Sequence, residues 1–139
     1  MNFFAAMIAL LLTPVAVAAD ADDLKPIPPM FASAQISLEQ LTSLIAEVEA
    51  IPDVECRYIR AFQRQCSSAS RSTIWTFTRP GHPAHPAVSR GVLVTSPNHI
   101  AIDRSGHFVG DEASFRKWMD EWAVVDKRQI QEFSQHPSK

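Results

Sequence analysis

Apolar residues in this chain keep a helical period at both ends of the segment from Ser37 to Val125 and a two-residue period in the middle. The stretch "SLEQLTSLIAEVEAIP", starting at Ser37, sets Leu38, Leu41, Leu44, Ile45 and Val48 on one face at helical spacing. Ser37 followed by Gln40 has the pattern of a capping box, and Pro52 stops the helix. "VECRYIRAFQRQC" fits two templates. Alternation groups Val54, Cys56, Tyr58 and Phe62, whereas helical spacing groups Cys56, Ile59, Phe62 and Cys66; the first half reads better as strand.

The next segments are extended. "STIWTFTR" is rich in β-branched and aromatic residues and ends at Pro80-Gly81; its alternation puts Trp75 and Phe77 on one face and Ile74, Thr76 and Thr78 on the other. "AVSRGVLVT" is a second strand, and "SPN" turns the chain into "HIAID". "DRSG" predicts a further turn before "HFV". Asp111 and Glu112 then stand where a helix N-terminus favours negative charge, and Phe115, Trp118, Met119, Trp122 and Val125 recur at helical spacing. Helix, close-set strands, helix predicts an α+β domain: a small antiparallel β-meander of three to five strands, with the N- and C-terminal helices packed on one face.

The flanks set the expected compartment. Residues 3–19 are almost wholly apolar, broken by Thr13 and Pro14, and small residues precede Asp20; this is the layout of a secretory signal peptide over 1–19. The run is short for a membrane span, which needs about 20 residues, and no cysteine follows it closely enough for a lipid anchor. Residues 20–36 form an acidic, Pro-rich leader, 37–133 a single domain and 134–139 a tail. The expected location is therefore periplasmic or secreted. There, Cys56 and Cys66 are expected to pair. Within one straight helix or strand their Cα atoms would stand about 15 or 33 Å apart, so a bond requires the chain to turn between them.

Charge is unevenly distributed. Cys56–Ile102 holds no Asp or Glu but six arginines (57, 60, 64, 71, 79 and 90), while residues 20–55 hold eight acids against Lys25 alone. A net charge of −2 thus conceals a basic sheet beside an acidic arm. The arginines either bind an anionic partner through guanidinium forks or are offset by the acidic arm of the same chain. Nucleic acid is a poor match to a sequence pI near 6.2 in an exported protein.

Candidate chemistry is sparse. His82 and His85 in "RPGHPAHPAVSR" each precede proline, which favours an extended polyproline-like segment holding the two residues about 9 Å apart. Two zinc ligands need nitrogens within about 4 Å, so the pair does not make a metal site unaided; His107 and Asp103 are the distant candidates to complete one. There is no Gly-x-Ser-x-Gly elbow and no His-Glu-x-x-His helix, and only four glycines occur, so neither a nucleophile motif nor a phosphate loop is present and no cofactor is expected. Trp118 and Trp122 read as core. The expectation is a small exported protein-binding module, such as a stoichiometric inhibitor or immunity-type protein of the cell envelope, binding through Arg79, His82, His85 and Arg90, with Trp75 if that ring is exposed. Rival readings are a metal-binding protein or hydrolase using His82, His85 and His107, and an accessory subunit of an envelope complex.

Overall fold

The structure is a computed structural model that describes residues 27–135. The expected signal peptide lies outside them. Helix α1 (Leu38–Glu49) leads into strands β1 (Glu55–Ile59), β2 (Gln63–Ser68), β3 (Thr73–Thr78), β4 (Ala87–Ser96) and β5 (His99–Phe108), and helix α2 (Glu112–Gln135) closes the chain. The five strands lie side by side in sequence order, and every pair is antiparallel. The α+β meander expected from the sequence is the architecture found. Among the described residues no helix is long and apolar enough to cross a membrane.

Local chemistry accounts for the element ends. The Ser37 hydroxyl accepts from the Gln40 N–H at 3.1 Å and the Gln40 side chain accepts from the Ser37 N–H at 2.9 Å, so two of the orphan donors at the start of α1 are satisfied reciprocally. Asp111 caps α2 by accepting from the Ser114 N–H at 2.9 Å. That bond, followed by one from the Ser114 hydroxyl, holds the Asp111 carboxyl below its ordinary pKa. The ambiguous segment 54–66 is a hairpin: β1 and β2 run antiparallel through a turn at Arg60–Phe62. That reversal places Cys56 directly opposite Cys66, Cα atoms 4.0 Å apart, and the two are disulfide-bonded.

Two expectations change. Residues 103–106 do not turn; β5 is continuous from His99 to Phe108. Gly106 is there for packing, since a Cβ on it would meet Met119 Sδ at 2.7 Å and Phe115 Cζ at 3.0 Å. The second change concerns the helices, which cover opposite faces of the sheet instead of sharing one. Leu41, Leu44 and Val48 of α1 pack on Cys66, Trp75, Phe77 and Val88, whereas Phe115 and Trp118 of α2 pack on Ala84, Ala87 and Phe108. Small residues make the second layer possible: Thr76, Ser89 and Gly106 lie in one cross-strand row on the α2 face, and a low bed lets the helix approach. Each large apolar side chain buried in these layers contributes about 1.5–3 kcal/mol.

Residues 27–36 pack on the α1 face. Ile36 is part of the core, and the Gln35 region bridges the β5 edge in parallel at Phe108. The helical tail runs on to Gln135, two residues beyond the expected domain end.

Candidate functional site

The β3–β4 connector carries the two histidines, and it is built of tight turns in place of the extended segment expected. His82 N–H donates to Arg79 O at 3.0 Å, and His85 N–H donates to His82 O at 3.0 Å. Each turn has proline at its second position, Pro80 and then Pro83, and Gly81 takes φ +105° at the third position of the first turn. Glycine's freedom at that one residue releases the chain from polyproline geometry.

Both imidazoles are tied down on the α2 side. His82 Nδ1 accepts from the Ala84 N–H at 3.0 Å, and its ring stands edge-on to Trp118 with centroids 5.2 Å apart. Burial lowers its pKa, with Glu121 opposing and His85 reinforcing that shift. His85 Nδ1 shares a hydrogen bond with the Thr78 hydroxyl at 2.9 Å. The distant metal candidates point the other way. The pairings Val88↔His107 and Val92↔Asp103 place His107 and Asp103 on the α1 face, so the sheet separates them from His82 and His85. No group of three or more His, Cys, Asp or Glu among the described residues is placed to hold a metal ion.

The remaining sequence candidates also part company. Trp75 is 6% exposed beneath α1, which removes it from any binding surface. Arg90 lies on the α1 face under the leader, where its Nη2 donates to Pro28 O at 2.6 Å. Burial lowers its pKa, and Asp103 opposes the shift. Arg79 alone stays in the open.

What gathers around Arg79 was not singled out in the sequence. Its guanidinium carbon lies 4.2 Å over the Tyr58 ring, and its backbone N–H donates to Phe62 O at 2.7 Å. That bond ties the β1–β2 turn to the histidine loop. Tyr58 is 68% exposed and Phe62 57%, so two aromatic rings and a guanidinium share one open surface. The Phe62 ring lies against Gly81, where an added Cβ would come within 3.0 Å of Cδ1. Ala61 and Phe62 both hold left-handed backbone, with φ 61° and 58°. Non-glycine residues in that region cost about 1 kcal/mol or more each, and they persist only where the surroundings fix them.

Of the other basic residues of the stretch, Arg57, Arg60 and Arg64 lie on the β1–β2 hairpin and Arg71 lies in the β2–β3 turn. Arg64 pairs with Glu49 at the end of α1 at 2.6 Å, the one place among the described residues where the acidic arm offsets the basic sheet through an ion pair. Arg57, Arg60, Arg71 and Arg79 make no ion pair with a described acid. A legible signal existed: "CRYIRAFQR" interleaves arginines with Tyr58 and Phe62 in a stretch without acids. Recognising it needed the hairpin, which turns Tyr58 and Phe62 toward the connector.

An apolar groove of about 690 Å³ lies on the α2 face, lined by Ile74, Leu93, Ile102, Trp122 and Phe133 among others. Its floor is not a free charge. Arg104 donates from Nε and Nη2 to Asp126 at 2.9 and 2.6 Å, and from Nη1 to Ser89 Oγ at 3.0 Å, while its guanidinium lies 4.2 Å over Trp122. These contacts anchor α2 to the sheet and commit three of the five Arg104 N–H donors.

The chain matches no protein family, no curated protein and no solved structure.

Proposed function

We propose that this chain is a small exported protein-binding module, acting in the envelope or outside the cell as a stoichiometric inhibitor or immunity-type protein. The observation that carries the reading is the exposed surface formed by Tyr58, Phe62 and Arg79, held by a strained turn on a disulfide-stapled hairpin. Tyrosine, phenylalanine and arginine are the residue types enriched where interfaces concentrate their energy. Preordered rings and a stacked guanidinium lose little side-chain entropy on docking. Arginines without an acidic partner among the described residues suit a partner rich in carboxylates.

The test is quantitative binding to an envelope protein captured by the immobilised wild type and then purified. Arg79→Glu with Tyr58→Ala should weaken that complex at least about tenfold, the scale of one interface anchor. Arg71→Glu, in the β2–β3 turn at the other end of β3 from Arg79, serves as a charge control. Equal affinity of the double variant and the wild type would remove this surface from the binding site. N-terminal sequencing of the exported protein should place its start near Asp20; an intact Met1 would refute export by a cleaved signal.

A further inference from the structure

We propose that residues 27–33 form an acid-released strap across the α1 face of the sheet, with neutral His107 as its clasp and residues 34–36 as its hinge. The proposal does not depend on the surface around Tyr58.

The links between strap and sheet are of two kinds. At the hinge they are main-chain: Phe108 N–H donates to Ala34 O at 3.0 Å and Ile36 N–H donates to Phe108 O at 2.9 Å. Beyond the hinge every described polar link goes to an ionisable side chain. Asp103 accepts from the Ile27 N–H at 3.1 Å, Arg90 donates to Pro28 O at 2.6 Å, and His107 takes two links. Its Nε2 accepts from the Phe31 N–H at 3.3 Å, and its Nδ1 lies 2.8 Å from Ser33 O. A carbonyl only accepts, so Nδ1 carries the hydrogen and Nε2 the lone pair. That single neutral tautomer satisfies both.

Protonation removes the fit. A hydrogen on Nε2 would face the Phe31 N–H donor, and the imidazolium would be charged at a site only 2% exposed. The charged groups on this face are Arg90 from β4, whose charge disfavours a second cation, and Asp103 from β5, occupied by Ile27. The described strap carries no ionisable side chain, and the α1 side chains buried against the sheet are Leu41, Leu44 and Val48. Burial, the largest cause, holds the His107 pKa below its ordinary 6.5, with hydrogen bonds to Ser33 and Ala34 opposing.

The sign follows. A histidine whose folded pKa is depressed stabilises the closed strap fully above 6.5 and loses that contribution as pH falls through the lower folded value. Release frees Met30 and Phe31, both packed on the core, and uncovers Arg90 beside a charged His107. The hinge keeps the segment attached.

Hydrogen exchange of the isolated protein, corrected for intrinsic rates, tests this between about pH 7.5 and 4.5, the range where histidines titrate. The peptide spanning 27–36 should lose protection about tenfold per pH unit as pH falls from 6.5 toward the lower closed-state value and level off below it, its midpoint lying in that interval, while β3 keeps its own. His107→Gln, which offers an acceptor and a donor but takes no proton, should hold the strap closed over the same range. Asp103→Asn should leave the midpoint in place. Protection that ignores pH, or is lost at one pH in wild type and His107→Gln alike, overturns the proposal; so does a midpoint that moves with Asp103→Asn. Should His107→Gln not fold, the wild type suffices. The His107 ring protons and the Phe31 amide must then share one midpoint by NMR, and separate midpoints refute the clasp.

Discussion

Asp126→Ala should be among the most damaging single substitutions in this protein. Asp126 receives two bonds from Arg104, at 2.6 and 2.9 Å, and the paired side chains are only 10% and 14% exposed. Truncation leaves a guanidinium largely out of water with two donors unpartnered. Removing one partner of a buried pair costs about 3–5 kcal/mol. The Ser89 hydroxyl and the Trp122 face remain as partners for Arg104, which sets the expectation at the lower end, about 3 kcal/mol. A domain of this size has about 5–15 kcal/mol in all. With a urea slope of about 1.5 kcal/mol/M, the unfolding midpoint should fall by about 2 M at unchanged slope. The assay is urea unfolding followed by circular dichroism and tryptophan emission under non-reducing conditions. Replacing both partners, Arg104→Met with Asp126→Leu, should recover most of the loss, because no lone charge stays buried. A loss below about 1 kcal/mol for Asp126→Ala would show the pair to be worth no more than a surface bridge and refute the anchoring role.

Two further outcomes are expected. Cys56→Ala with Cys66→Ala opens a loop closed at a sequence separation of 10, which should lower stability by about 2–3 kcal/mol in urea unfolding; equal midpoints for the variant and the oxidised wild type would refute a stabilising bond. Gly81→Ala forces a side chain onto φ +105° and against the Phe62 ring, and should cost about 1–2 kcal/mol by thermal unfolding while loosening the Arg79–Phe62 link; an undiminished melting temperature would mean the turn relaxes freely.

Local chemistry was the legible part of the fold. Ser37 and Gln40 specify the start of α1 because a capping box is complete within one helical turn of sequence. Pairing of Cys56 with Cys66 was legible from the expected compartment, and the turn that geometry demanded is the one found at Arg60–Phe62. The side of the sheet on which each helix lies was not legible. β3 is buried on both faces, by Trp75 and Phe77 beneath α1 and by Thr76 and Thr78 on the α2 side, so its alternation does not point to one covered face. Asp126 and Arg104 meet across 22 residues, and nothing local marks either as a partner. The same limit dispersed the candidate site: strand alternation sends Arg90 and His107 to the α1 face, away from His82 and His85 on the α2 side, and buries Trp75 under α1.

Because spatial order equals chain order across β1 to β5, each strand finds its neighbour by closing a short hairpin, with no crossover to wait for. The entropy of closing such loops is small, and sheets assembled from adjacent pairs have low contact order. Assembly can therefore proceed as successive zippering, with the Cys56–Cys66 hairpin already held in register once its bond has formed. The two helices dock on this sheet from either side, α1 from upstream and α2 from downstream, and the order of its strands is complete without them.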